Sequence, residues 1–281
     1  MKLPKTLSEL IRISGLSHGT NVWLDNAQYF IKNGDCTLGT AICTRDDIML
    51  NLIAWGVEPE HSFKIMESVR KGRGLRPDQE SEMREHGVPE WYIESCKRIK
   101  YMFPKAHAVA YTLMSYRIAY YKVYYPAAFY AVFFTSKIAD FNAEVILGGI
   151  DSIWDRIHEI EAKGKEATKK EEDEIIVLEV AYEMYARGYE FLPARLGESL
   201  GTKFSVNDGK VQLPFLALEG VGETAAKALA EEYAKKPFFS IEEMQERTKL
   251  NKTATEALRA HGVLRGIDET NQISIMSLLG M

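Results

Sequence analysis

Residues 101–126, YMFPKAHAVAYTLMSYRIAYYKVYYP, contain the longest apolar periodic segment of the chain. No glycine or proline interrupts it between Pro104 and Pro126, and this predicts one long helix over Ala106–Tyr125. At about 100° per residue, one face of that helix carries a polar stripe of His107, Tyr111, Ser115 and Lys122. Two interpretations follow: a core helix whose tyrosine hydroxyls reach water, or a helix whose stripe binds an anion.

Charge is distributed unevenly around this helix. The 281 residues carry 35 basic and 40 acidic side chains, a net charge of −5. Residues 95–139 contain seven lysines and arginines and no acid, whereas residues 140–200 contain 15 acids and seven bases. Because no acid near Lys105, His107 or Lys122 in sequence can neutralise them, an anionic ligand such as a triphosphate or a DNA backbone is one interpretation.

Composition excludes several classes of protein. With 46% hydrophobic and 27% charged residues, the chain matches an ordinary globular protein. No apolar run approaches the roughly 20 residues that a membrane helix needs. The start, MKLPKTLSEL, lacks the apolar region of a signal peptide, so we expect a cytoplasmic protein without a membrane partner. The cysteines, Cys36, Cys43 and Cys96, form no CxxC pair, which argues against a disulfide framework or a cysteine zinc site.

The predicted fold class is mainly α. Helices are expected over about 7–15, 45–55, 59–71, 89–102, 106–125, 150–163 and 168–187, with Gly15 closing the first. Asn207-Asp208-Gly209 between FSV and KVQL predicts one short β-hairpin within 203–213. Short helices return over 214–266, and the last residues form a tail.

A glycine motif stands in the C-terminal part of the chain. Residues 218–226, LEGVGETAA, fit the helix-hairpin-helix pattern, in which two glycines let the backbone approach a phosphate and the next helix start donates N–H groups to it. Residues 250–264, LNKTATEALRAHGVL, are similar to a second, degenerate copy. The alternative is a Gly-rich turn that only begins a helix. The predicted DNA-binding residues are Gly220, Val221, Gly222, Thr224, Lys227 and Lys252.

Four segments together resemble a known family. Besides 101–126 they are 13–23 (ISGLSHGTNVW), 44–49 (TRDDIM) and 63–74 (FKIMESVRKGRG). They resemble the fingers of bacterial DNA polymerase III alpha subunits, and the PolC type in particular, collinearly over essentially the whole chain. The resemblance implies a C-terminal piece with a fingers region over 1–200, a tandem helix-hairpin-helix domain over 201–266 and a tail over 267–281.

In the resembled family the fingers close over the incoming dNTP. The resemblance implies a dNTP-binding set of Ser14, His18, Arg45, Lys71, Phe103, Lys105 and His107. Arginine and lysine offset phosphate charge, histidine donates to an oxygen, and the phenylalanine packs against a base or a neighbouring helix. Primer-template DNA and the remaining N-terminal portion of the polymerase are the further partners implied.

The tail resembles the family's clamp-binding peptide. Its expected residues are Gln272, Ile273, Ser274, Ile275 and Met276. The usual form is Gln-Leu-Ser-Leu-Phe, so isoleucines replace both leucines here and Met276 replaces the aromatic anchor. A spaced apolar peptide of this kind inserts into a groove on its partner, here the sliding clamp (beta subunit).

No catalytic or metal-binding residue is predicted. Two-metal phosphoryl transfer needs carboxylates, which in this family come from a palm N-terminal to the matching segments. Asp46 and Asp47 open a predicted helix, as does the acidic run 171–174, which we interpret as a solvated helix start. Mg²⁺ is therefore expected in the complete polymerase and not on this chain, which should be inactive alone. Two alternatives remain: a stand-alone, non-catalytic helix-hairpin-helix DNA-binding protein, and a sliding-clamp adaptor.

Overall fold

The computed structural model describes residues 3–271, and the chain divides into two compact units, Met1–Ala119 and Tyr120–Met281. The predicted mainly α class is confirmed, with fourteen α-helices and one three-stranded sheet in the described residues. Within that same range, no helix has both the length and the apolar character needed to cross a membrane.

The first unit is helical. Its helices are α1 (Leu7–His18), α2 (Gln28–Asn33), α3 (Arg45–Ala54), α4 (Pro59–Arg70), α5 (Pro77–Glu85), α6 (Glu90–Arg98) and most of α7 (Lys105–Tyr124). α3 and α4 pack on each other, and their buried faces meet at residues such as Ile48, Leu52 and Ile65. The expected long helix is therefore present as α7. Two short helices, α2 and α5, were not predicted.

One predicted helix end is wrong. Thr6 and Glu9 form the predicted capping box of α1, but the helix runs through Gly15 to His18. A Cβ added at Gly15 would lie 2.7 Å from the carbonyl oxygen of Cys43. This glycine therefore permits close packing inside a helix, a role that a sequence pattern does not distinguish from a helix stop.

The second unit combines helices with a small sheet. The helices are α8 (Pro126–Ser136), α9 (Ala143–Leu147), α10 (Ile150–Ala162), α11 (Lys169–Ala186), α12 (Glu223–Lys235), α13 (Ile241–Thr248) and α14 (Lys252–Ala260). The strands, β1 (Phe191–Leu192), β2 (Ser205–Asn207) and β3 (Lys210–Gln212), lie in the order β1-β3-β2. β2 and β3 form the predicted hairpin, closed by Asp208 and Gly209 at φ 48° and 74°.

One hydrophobic core runs through the second unit. The Phe134 side chain is fully buried, and its ring centre lies 5.0 Å from that of Phe191 and 5.6 Å from that of Phe141. The same cluster continues through Phe215 and Leu229 to Leu264. Helices before residue 200 and after it thus share a core. The compact units divide between Ala119 and Tyr120. The domain boundaries expected at residues 200 and 266 therefore stay predictions from the sequence.

Candidate functional site

Three cations converge on one carboxylate in the first unit. Glu67 on α4 accepts from Arg70 Nη2 at 2.9 Å and from Lys71 Nζ at 2.9 Å, and Arg45 Nη1 lies 3.7 Å from its Oε1. The hydrogen bonds from Arg70 and Lys71 lower the pKa of Glu67 to about 2. With one negative and three positive groups, this Glu67 cluster keeps an excess of positive charge, which favours an anion.

A glycine loop holds the cluster in place. Gly72 and Gly74 have φ of 69° and 73°, a conformation that disfavours side chains. A Cβ added at Gly72 would lie 2.3 Å from the carbonyl oxygen of Lys100, so only glycine fits there. Met102 N also donates to the Arg70 carbonyl oxygen at 3.3 Å. The loop therefore brings the segment around Lys100 beside the Glu67 cluster.

Four aromatic rings form a second group, here called the ring group: His18, Phe103, His107 and Tyr111. Phe103 and His107 stack with centres 4.7 Å apart, and Tyr111 lies 4.4 Å from His107. His18 lies 5.5 Å from His107, and its Nδ1 donates to the Ser14 carbonyl oxygen at 2.6 Å. The rings at the start of α7 and in the loop before it thus contact the C-terminal end of α1.

The two groups meet at the starts of α3 and α7. Arg45 N donates to the Phe103 carbonyl oxygen at 3.2 Å, and Lys105 N donates to Asp46 Oδ2 at 2.6 Å. The Asp47 carboxylate accepts from the backbone N–H groups of Cys43 and Thr44. Both aspartates therefore stabilise helix starts. Across residues 3–271, no group of three or more His, Cys, Asp or Glu side chains could hold a metal ion.

All seven residues of the implied dNTP set lie in the first unit. The structure places Ser14, His18, Phe103 and His107 at the ring group, Arg45 and Lys71 at Glu67, and Lys105 at the start of α7. Sequence reasoning missed Glu67 and Arg70. Both stand in the segment 63–74. Its run Arg-Lys-Gly-Arg-Gly predicts a cationic loop, but it does not indicate which carboxylate pairs with these cations.

One lysine of the α7 stripe finds an acid that is distant in sequence. Lys122 is neutralised, since its Nζ lies 3.0 Å from Glu183 Oε2 on α11. Glu183 also accepts from the buried Tyr130 hydroxyl at 2.8 Å, and Arg187 donates to the same hydroxyl at 2.9 Å. Burial, and then the bond to Glu183, raise the pKa of Tyr130 to about 12. By contrast, Lys105 has no ion pair among the described residues.

The core interpretation of α7 does not describe its tyrosines. Tyr111 and Tyr116 are more than half exposed, and Ala108 and Thr112 are the buried residues of the helix.

The acidic run 171–174 also differs from the solvated helix start that we expected. Glu174 is buried and accepts from Arg156 Nη2 at 3.0 Å and from Asn142 Nδ2 at 2.9 Å.

Glu67 should contribute stability above its unfolded-state pKa and lose it in acid. Its folded pKa, about 2, lies below the ordinary 4.5, so the contribution is present above about pH 4.5 and is lost as the pH falls towards 2. We expect Glu67→Gln to lower the melting temperature at pH 7, with a difference from wild type that shrinks below pH 4. Thermal unfolding followed by circular dichroism between pH 3 and pH 7 measures it. A constant difference across that range would contradict the assignment.

The glycine motif forms a tight turn before α12. Gly220 has φ of 89°, and Val221 N donates to the Leu218 carbonyl oxygen at 3.1 Å. Gly222 has an ordinary φ of −74° and caps α12, and a Cβ added there would meet no atom within 4 Å. The helix before this turn is only the 3₁₀ turn Phe215–Ala217. The free N–H groups at the start of α12 thus lie beside unoccupied space at Gly222.

The other predicted DNA-binding residues lie near the starts of α12 and α14. Thr224 is exposed in the first turn of α12, whereas Lys227 pairs with Glu223 at 2.6 Å. The second copy is α13 and α14, joined by a turn in which Lys249 has φ of 58°. Lys252 is exposed at the start of α14 and has no ion pair in the described part of the chain. The clamp-binding residues, 272–276, lie outside the described residues.

Comparisons with known proteins agree with this arrangement. Residues 2–90 match the model of the bacterial DNA polymerase III alpha subunit finger domain, and residues 188–273 match that of the helix-hairpin-helix motif. The second match extends beyond the predicted 201–266 at both ends.

Relatives named DNA polymerase III PolC-type align with nearly the whole chain. The protein of Caldanaerobacter subterraneus subsp. tengcongensis is 53% identical over 97% of this chain and 19% of its own length. Those of Thermotoga maritima and Bacillus subtilis are 49% and 47% identical, over 20% and 19% of their own lengths. The chain therefore spans about a fifth of the length of these relatives. It belongs to the PolC-type DNA polymerase III family, with a fingers part followed by a helix-hairpin-helix part.

Proposed function

We propose that this chain supplies the dNTP-binding fingers and the duplex-binding hairpins of a replicative DNA polymerase. The observation that carries the proposal is the Glu67 cluster, where Arg45, Arg70 and Lys71 share one carboxylate beside the ring group. A triphosphate carries several negative charges and offers many acceptor oxygens. It can therefore take over hydrogen bonds that Glu67 makes in the free protein.

The ring group supports the choice of a nucleotide as the anion. Phe103 and His107 already stack with each other, and Tyr111 exposes more than half of its surface. Aromatic faces bind bases without reading their sequence, which suits an enzyme that accepts four nucleotides. Lys105, free of ion pairs among the described residues, is placed at the start of α7 between the two groups.

The hairpin turns support binding to the primer-template duplex. Gly222 leaves open space at the start of α12, where N–H groups can donate to a phosphate. Contacts of that kind carry no sequence information, so the protein can bind at any position along the duplex.

The nucleotidyl transfer itself belongs, in this proposal, to a palm outside the chain. Mg²⁺ would bind there, because the carboxylates of the matching motif here cap helices. Residues 272–276 would bind the sliding clamp. A stand-alone DNA-binding protein would instead bind duplex with no dependence on dNTP, and a clamp adaptor would bind the clamp even when Gly222 is replaced.

Removing one cation at a time tests the nucleotide site. We expect Lys105→Ala and Arg45→Ala each to weaken dNTP binding about fivefold, since one charge-assisted contact is worth roughly 1 kcal/mol after solvent screening. The measurement is fluorescence titration with a labelled dNTP in the presence of primer-template duplex.

The matched control is Lys64→Ala, also on the first unit, where an exposed lysine pairs with Glu60 at 2.6 Å. Equal dNTP affinity for Lys105→Ala and Lys64→Ala would contradict the proposed site.

A further inference from the structure

A groove with two arginines in its lining lies in the second unit, and neither glycine of the hairpin turn lines it. It has a volume of about 750 Å³ and runs between two turns, residues 193–196 and 261–267. Tyr233 and Phe238 form part of its wall. Its volume falls within the roughly 300–1,000 Å³ of known ligand sites, so it has room for a nucleotide-sized group.

The charged side chains that line the groove are both arginines. Its lining residues include Arg195, Arg265 and His261, and no aspartate or glutamate. Arg265 has no ion pair within the described residues, and the Arg195 guanidinium is 3.9 Å from Glu198 in an exposed pair. Exposed pairs of that length contribute little. In a chain with a net charge of −5, a groove whose charged lining residues are two arginines favours an anionic ligand.

Glycine turns lie beside the groove at Gly262 and Gly197. Gly262 has φ of 73°, and a Cβ added there would lie 3.0 Å from Arg265 Nε, so this side chain lies back against its own turn. Gly197, with φ of 82°, lies close to the Tyr233 ring, which would be 3.1 Å from an added Cβ. The Tyr233 and Phe238 ring centres are 5.4 Å apart. The groove thus combines two exposed guanidinium groups with an aromatic wall.

We propose that this groove binds the phosphate backbone of a nucleic acid strand, with Arg195 and Arg265 as donors. Guanidinium groups match phosphate geometry, and an aromatic wall beside them is typical of sites that follow a strand. The choice of nucleic acid as the source of the phosphate rests on the proposed function of the chain. The site differs from the hairpin turn in chemistry, because the turn offers backbone N–H groups and the groove offers side chains.

The test uses the full chain and a fluorescent 12-nucleotide oligo-dT, with binding measured by fluorescence anisotropy at several salt concentrations. We expect Arg195→Ala/Arg265→Ala to weaken binding about fivefold. The slope of log affinity against log salt concentration should become shallower by about 1.4, because each phosphate contact on a single strand contributes about 0.7. Arg195→Lys/Arg265→Lys keeps both charges and should keep most of that slope. Melting temperatures confirm that each variant is folded.

The matched control is Lys165→Ala/Lys203→Ala, which removes two exposed lysines of the same unit that do not line the groove. Equal effects of the two double variants, or no binding of the oligonucleotide by wild type at low salt, would overturn the proposal. So would pyrophosphate or a free dNTP binding at the groove where the oligonucleotide does not. Gly222→Val separates this site from the proposed duplex site, since it should weaken duplex binding and leave the effect of the arginine substitutions unchanged.

Discussion

Replacing Gly222 by valine is expected to weaken binding of duplex DNA about tenfold and to leave the melting temperature unchanged. Gly222 has an ordinary φ of −74°, and a Cβ there meets no protein atom within 4 Å, so the folded chain accommodates a side chain. The same space is where a phosphate would approach the N–H groups at the start of α12. A valine side chain in that space would keep the phosphate away and remove one or two charge-assisted hydrogen bonds. The binding free energy should fall by about 1.5 kcal/mol.

Gly220 should behave differently. Its φ of 89° is unfavourable for any side chain, and an added Cβ would lie 3.4 Å from Ala257 Cβ. Valine at this position is therefore expected to lower both the melting temperature and the affinity for DNA. Of the two glycines, Gly222 alone separates binding from folding.

Fluorescence anisotropy with a labelled primer-template duplex measures the effect, at low and at physiological salt. Glu219→Gln, in the same turn, is the control, since it removes an exposed acid that repels phosphate and should raise affinity slightly. A Gly222→Val protein that binds duplex as tightly as wild type would show that the turn only begins a helix.

Replacing Phe134 by alanine is expected to lower the free energy of unfolding of the second unit by about 3–5 kcal/mol. The Phe134 side chain is fully buried, and its ring centre lies 5.8 Å from that of Phe204 and 5.0 Å from that of Phe191. Those neighbours come from opposite sides of residue 200 in the chain. Loss of the ring therefore opens a cavity where the two parts share their core.

Urea unfolding followed by circular dichroism measures the change. Val132→Ala is the matched control, because it lies on the same helix, α8, and its side chain is 71% exposed. We expect a change below about 0.5 kcal/mol for it. Comparable losses for both variants would contradict a core shared across residue 200.

Much of the secondary structure could be predicted because its signals are local. α7 lies between two prolines, α3 follows Thr44, and the hairpin closes at Asp208-Gly209, each within a few residues of the signal. The failure at the end of α1 comes instead from a contact with a residue that is distant in sequence. Gly15 carries the same signal as a helix stop, yet it sits inside α1 where Cys43 approaches its backbone.

The candidate site divides in the same way. The cationic loop 70–74 and the residues around Phe103 could be found from the sequence, since each is a continuous segment. The carboxylate that gathers the cations could not. Arg45 and Lys71 meet at Glu67 because α3 packs on α4, and Lys122 meets Glu183 across more than fifty residues of sequence.

Neighbouring residues and collinear motifs were enough to predict the helical class, the glycine turns and the family. The tertiary structure alone decided which charges remain free, which glycines need their freedom, and that helices on both sides of residue 200 share one core. The physical reason is that neutralisation and burial depend on distance in space, and chain order does not set the distance between residues that are far apart in sequence.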